Sequence, residues 1–202
     1  MDPLTGQPAP PSLRESAVLI PLYERDGAPQ LLFIKRTEQV RTHRGEIGFP
    51  GGRIEPEDAS PLAAALREAE EELGISPTQV APLGALPPVS TVVTSTLIYP
   101  FAGRLAAPPE LRPDPFEVAE VVEVPLMTLL DPATCVVEER VLRGTPRTIF
   151  IYRCGPHDIW GATGRIVQQF LARLSEWPGH PPDAPWALDE VAAALSGHED
   201  GE

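Results

Sequence analysis

Residues 51–75 read Gly-Gly-Arg-Ile-Glu-Pro-Glu-Asp-Ala-Ser-Pro-Leu-Ala-Ala-Ala-Leu-Arg-Glu-Ala-Glu-Glu-Glu-Leu-Gly-Ile. This stretch reads as a loop, a helix and a stop. The Ser60 hydroxyl can cap the helix, and Pro61 suits its first position, where no N–H bond is lost. Gly74 can adopt the left-handed conformation that ends a helix. The Ala and Leu residues between them favour helix. At 100° per residue, Leu62, Leu66, Ala69 and Leu73 share an apolar stripe. Glu68, Glu71 and Glu72 share another, because spacings of three and four bring side chains together. Carboxylates crowded on one face repel, and a hard divalent cation with oxygen ligands removes that cost. For the three glutamates alone, a solvated acidic face is the simpler reading. The neighbouring residues argue against it.

Gly52, Arg67-Glu68, Glu71-Glu72, Gly74 and Ile75 together resemble the Nudix box, a glycine followed by a helix carrying Arg-Glu and Glu-Glu-x-Gly. One departure is visible. Asp58 follows Gly52 with the spacing of the box's loop glutamate, but eight residues rather than seven separate it from Arg67. That one-residue extension and the Asp are similar to the branch that hydrolyses coenzyme A. The segment before the box agrees. From Leu32 to Gly52 the pattern Leu-x-x-x-Arg-Thr-x-x-x-Arg-x-x-x-Gly-x-x-x-Phe-Pro-Gly-Gly resembles the motif preceding the box in coenzyme A diphosphatases, with Thr37 where those usually carry Ser.

The same segment stands out by charge. Lys35, Arg36, Arg41, Arg44 and Arg53 face only Glu38 and Glu46 across 19 residues, in a chain of net charge −13. Arginine suits planar, bidentate phosphate recognition. Arg36 and Arg41 are therefore candidate substrate-phosphate ligands, and His43 is given no chemistry. The global acidity argues against nucleic-acid or membrane-surface partners. Neither a signal peptide nor an apolar run near 20 residues is visible, so a cytoplasmic protein is expected. Cys135 and Cys154 are too few for a disulfide framework.

The remaining sequence reads as an α/β domain. Residues 1–12, with four prolines, read as a mobile arm. Residues 16–22 and 30–35 read as a hairpin across Asp26-Gly27. Residues 80–84 and 92–101 read as strands, with a loop at 86–91 between them. Residues 117–124 alternate apolar and acidic positions and read as a half-buried strand, from which Glu117 or Glu120 could reach the glutamates. Residues 136–141 and 148–153 form a late hairpin. Ile166, Val167, Phe170, Leu171 and Leu174 mark a helix ending near Trp177, and its Trp-Gly-x-Thr start is another family resemblance. The domain is expected to span 13–177, leaving 178–202 as a Pro-rich linker, a short helix and an acidic tail.

The resemblance implies the Nudix fold, a mixed β-sheet sandwiched between α-helices. It implies a divalent-metal-dependent hydrolase, using Mg²⁺ or Mn²⁺, of a diphosphate linked to another moiety. A coenzyme A-like nucleotide is the leading substrate, and assembly as a homodimer is kept open. Glu68, Glu71 and Glu72 would hold metal, Arg67 would orient a neighbouring glutamate, and Gly51 and Gly52 would let the backbone approach metal or phosphate closely. Three alternatives stand beside this reading. One is the same fold acting on ADP-ribose, NADH or a nucleoside triphosphate. Another is a Nudix-like module that senses a nucleotide without cleaving it. The third is an acidic interaction protein whose helix merely looks like the box.

Overall fold

A computed structural model describes residues 14–39, 45–91, 95–177 and 185–197. The N-terminal arm, Arg41, His43 and Arg44 lie outside the described residues. In chain order the strands and helices are β1 (Arg14–Arg25), β2 (Ala28–Arg36), β3 (Ile47–Gly48), β4 (Gly51–Arg53), α1 (Pro61–Leu73), β5 (Val80–Ala85), β6 (Val89–Thr91), β7 (Thr96–Leu105), β8 (Val118–Pro125), α2 (Leu126–Leu130), β9 (Cys135–Leu142), β10 (Thr145–Cys154), β11 (His157–Ile159), α3 (Gly161–Ser175) and α4 (Leu188–Ser196).

Among the described residues, β1 to β8 form one sheet and β9 to β11 a smaller one. The larger sheet is mixed: β1 runs parallel to β7 and antiparallel to β2. The β1–β2 turn takes positive φ at Asp26 (54°) and Gly27 (78°), the pairing that matches strand twist in a two-residue hairpin. Beyond Leu22 and Leu31 the two strands part. The gap is filled by β3, paired to β2, and β4, paired to β1. Phe49 wedges between them, stacked on Phe33 with ring centroids 4.5 Å apart. The segment that begins the box is thus set into the sheet itself.

Period-two alternation divides the core into two layers. Ala17, Leu19, Leu32 and Ile34 face α1, whereas Ile20, Leu22, Leu31 and Phe33 face α3 and α4. This is the mixed sheet between helices expected from the sequence. The α1 caps also behave as read: Ser60 Oγ accepts from the Ala63 N–H, and Gly74 sits at φ 73°.

Several expectations need correction. The buried stripe of α1 is Ala64, Ala65, Ala69, Glu72 and Leu73, and Leu62 and Leu66 flank it only partly buried. Alanines on the contact face let the helix approach β1 and β4 closely. The stripe therefore lies about one position away from the one read through the leucines, and it carries Glu72 inward. Val89–Thr91 pairs with β7 instead of forming a loop. The domain also does not stop at Trp177. Trp186, Leu188, Val191, Ala194 and Leu195 are buried in the α3 layer of the core, and the Leu195 carbonyl lies against Gly84 of β5. The last helix belongs to the domain, because its apolar face covers sheet surface that α3 leaves open. No helix among the described residues is long and apolar enough to cross a membrane.

Candidate active site

The site forms where α1 packs on the β4 loop. Gly51 sits at φ +151°, and a Cβ there would lie 2.3 Å from the Ala17 carbonyl oxygen. Only glycine permits this approach. It places the Gly51 N–H 2.8 Å from Glu72 Oε2. At Gly52 the missing Cβ leaves room for a different group, since that atom would lie 2.5–2.6 Å from the Glu68 carboxylate. The two glycines thus seat two of the three box glutamates.

Arg67 organises the outer side. Its Nε and Nη2 donate to the two oxygens of Asp58 at 3.0 and 3.1 Å. Nη1 donates to Glu68 Oε1 at 3.0 Å and to Glu71 Oε2 at 3.1 Å, and Nη2 also reaches the Arg53 carbonyl at 3.0 Å. One planar group therefore fixes the loop acid and spaces two glutamates. The Arg67 hydrogen bonds, aided by the Glu55 N–H, hold Asp58 below the usual carboxylate range. The extra residue between Asp58 and Arg67 is absorbed in the loop, and Asp58 serves as the arginine's partner.

The glutamates differ sharply in burial. Glu71 is exposed, Glu68 is mostly covered, and the Glu72 side chain is 1% exposed. The sequence puts all three on one stripe apart from the apolar one; Glu72 departs from it and joins the buried face. Burial raises its pKa to about 7, against the lowering effects of Arg36 and the Gly51 N–H, while Glu68 and Glu117 push it further up. Burial likewise raises Glu68, opposed by Arg67.

Arg36 sits inside the site. Its Nη2 donates to the Gly51 carbonyl at 2.6 Å and lies 3.1 Å from Glu72 Oε1, and its Nη1 lies 3.8 Å from Glu117 Oε2. Thr37 latches the turn that carries Glu117: its N–H donates to the Glu117 carbonyl at 2.9 Å, and its hydroxyl to the Phe116 carbonyl at 2.7 Å. Of the two acids offered by the β8 region, Glu117 joins the site. Glu120 instead pairs with His157 Nε2 at 3.1 Å, on the edge of a separate hollow of about 380 Å³ that contains none of the box residues. Arg41 remains outside the described residues. The roles of Asp58 as clamp and Thr37 as latch escaped the sequence reading. For Asp58 the signal was its place in the box; for Thr37 nothing local pointed to a partner so distant in the chain.

Among the described residues, no three acidic, histidine or cysteine side chains converge on one point in this arrangement. Arg67 spaces Glu68 from Glu71, and Arg36 lies against Glu72. The donor set nonetheless suits a hard divalent cation, which favours carboxylate oxygens. The buried Glu72 Oε1 accepts no hydrogen bond, and the cation against it is Arg36 Nη2 at 3.1 Å, a charge that a divalent ion could also supply.

Comparison with known proteins agrees with this geometry. The NUDIX domain family model matches residues 13–143. The uncharacterized Nudix hydrolase NudL of Escherichia coli strain K12 is 36% identical over 167 residues, covering 82% of this chain and 85% of that protein. NudL of Photorhabdus laumondii is 36% identical over 161 residues, covering 80% and 85%. In fold, the chain is similar to a MutT/nudix family protein from Enterococcus faecalis, with a TM-score of 0.60 at 16% identity over 95% of this chain and 71% of that one. Box residues, site geometry and relatives converge: the chain belongs to the Nudix hydrolase family.

Proposed function

We propose that the protein hydrolyses the diphosphate bond of coenzyme A or a derivative, giving 4′-phosphopantetheine (or its acyl form) and adenosine 3′,5′-bisphosphate. The observation that carries the substrate choice is the segment from Leu32 to Gly52, with its arginines, Thr37 and Phe49-Pro50-Gly51-Gly52. Arg36, Gly51 and Gly52 of that segment lie against Glu72 and Glu68, which supports a substrate group being recognised beside the glutamates. Arg41 is the phosphate ligand proposed from it.

Glu68, Glu71 and Glu72 would hold Mg²⁺ or Mn²⁺, and such an ion, when bound, neutralises diphosphate oxygens and lowers the pKa of a bound water. The chain's own residues do the rest. Arg67, clamped by Asp58, keeps Glu68 and Glu71 at fixed separation. Gly51 and Gly52 let the backbone come close to the substrate's phosphates. Glu117, held by the Thr37 latch, adds a carboxylate from the opposite wall, and the general base lies among these carboxylates.

The test is a pair of saturation curves with Mg²⁺ or Mn²⁺, one for coenzyme A and one for its 3′-dephospho form, with ADP-ribose, NADH and nucleoside triphosphates as competitors for the assignment. Coenzyme A should show the highest kcat/KM, and Arg41→Ala should shrink its preference over the dephospho form about tenfold, chiefly through KM, as expected for one charge-assisted contact. A higher kcat/KM for ADP-ribose or the dephospho form would move the chain to another substrate branch.

A further inference from the structure

The sequence offers Arg36 as a ligand for substrate phosphate, but the structure turns its guanidinium inward. Three oxygens from three separate segments surround it: the Gly51 carbonyl at 2.6 Å, Glu72 Oε1 at 3.1 Å and Glu117 Oε2 at 3.8 Å. Its backbone is pinned as well, with its N–H on the Glu46 carbonyl at 3.0 Å and its own carbonyl accepting from Gly45 at 3.1 Å. The side chain is 20% exposed, which leaves little of the guanidinium free to meet a solvent-borne anion. When ionised, Glu72 needs this neighbour. A carboxylate 1% exposed without a cation is strongly unfavourable, and the Gly51 N–H supplies only a dipole.

We propose that Arg36 is the resident counter-cation of the glutamate site, a positioning residue that ties Glu72, the Gly51 carbonyl and Glu117 together while no divalent ion is bound. Arg36 and a divalent ion then serve the same carboxylate, so the ion can replace what the guanidinium supplies. Substrate phosphate is left to other cations. The inference rests on the reading that this face binds a divalent ion, and the experiment separates the two.

The experiment is thermal unfolding at pH 8 of wild type, Arg36→Met and Arg36→Lys, without metal and with saturating Mn²⁺. Wild type should gain stability with Mn²⁺. Metal-free Arg36→Met should melt roughly 6–20 °C below wild type, as for breaking a buried pair in a domain of this size. Mn²⁺ should raise its Tm by more degrees than it raises wild type. Arg36→Lys, which keeps the charge without the planar fork, should fall between on both counts. If Arg36→Met does not fold, the same comparison is made on Arg36→Lys. A metal-induced rise no larger in the variants than in wild type overturns the proposal. No rise in wild type itself overturns the metal reading and the proposal with it. A second readout is the ratio of kcat/KM for coenzyme A over its 3′-dephospho form in Arg36→Lys. The ratio should stay within about twofold of wild type while kcat falls; its collapse by tenfold, the scale of a lost charged contact, makes Arg36 a phosphate ligand and overturns the proposal.

Discussion

The two adjacent glycines of the β4 loop should fail in opposite ways when given a methyl group. In Gly52→Ala the new Cβ would lie 2.5–2.6 Å from the Glu68 carboxyl atoms, whereas ordinary contact begins at 3.4 Å. The carboxylate must retreat by about 0.8 Å or more. It is the far end of a flexible side chain, so the fold gives way there cheaply, and stability should change by less than about 1 kcal/mol. The retreat also pulls Glu68 from Arg67, now 3.0 Å away. A misplacement near 1 Å at a reacting centre costs on the order of 100-fold, so kcat should drop by that factor. In Gly51→Ala the clash is with backbone, 2.3 Å from the Ala17 oxygen and 2.6 Å from Val18 Cα, at φ +151°. It can be relieved only by parting β4 from β1. This variant should lose more than about 3 kcal/mol of stability, a Tm drop of at least roughly 6 °C. Steady-state turnover and thermal melts on both variants give the answer. Full kcat in a well-folded Gly52→Ala, or equal destabilisation of the two variants, would refute the account of how these glycines seat the glutamates.

Other outcomes follow from the same geometry. The Glu72 pKa lies near 7 in the folded protein against 4.5 for an ordinary glutamate. Its proton is bound more tightly when folded, so metal-free stability should fall as pH rises from about 4.5 to beyond 7, by up to about 3 kcal/mol, and Glu72→Gln should flatten the profile; a flat wild-type profile would count against a buried glutamate. Asp58→Asn should lower kcat with little change in KM, because it frees Arg67 to drift from Glu68 and Glu71; unchanged kcat would show that the clamp is dispensable. Truncation after Trp177 should lower Tm or abolish folding, and Leu195→Ala should cost about 2–5 kcal/mol; an unchanged melt in both would detach α4 from the core. Burial and Asp158 push the Cys154 thiol up to about 11, so it should react with a disulfide reagent at pH 8 only as the protein unfolds, and rapid labelling of the native protein would contradict its placement.

What the sequence made legible was whatever local chemistry decides. The Ser60 cap, Pro61 and Gly74 set the ends of α1 without help from the rest of the chain, and Asp26-Gly27 set the first hairpin. The family pattern then pointed to the glutamates. What stayed hidden depends on partners far away in the chain. Glu72 looks like its neighbours until β2 brings Arg36 beneath it. Thr37 looks like a surface residue until the turn at Phe116 arrives. The leucines of α1 outweighed its alanines in the periodicity, although small side chains mark the face of closest packing. Strands β6 and β11 have three residues each, too few for alternation to register. The apolar spacing of Leu188, Val191 and Leu195 was visible, but the prolines before it made the segment read as a tail.

The glutamate face held by Gly51, Gly52 and Arg67 is proposed above as a divalent-metal hydrolytic site. Its most direct test is the kcat of Glu68→Gln and Glu72→Gln with coenzyme A at saturating Mg²⁺, each variant first shown to melt as a folded protein. Both should lose orders of magnitude in kcat, with release of adenosine 3′,5′-bisphosphate slowed to match; near-normal turnover in both would contradict a metal role for these glutamates.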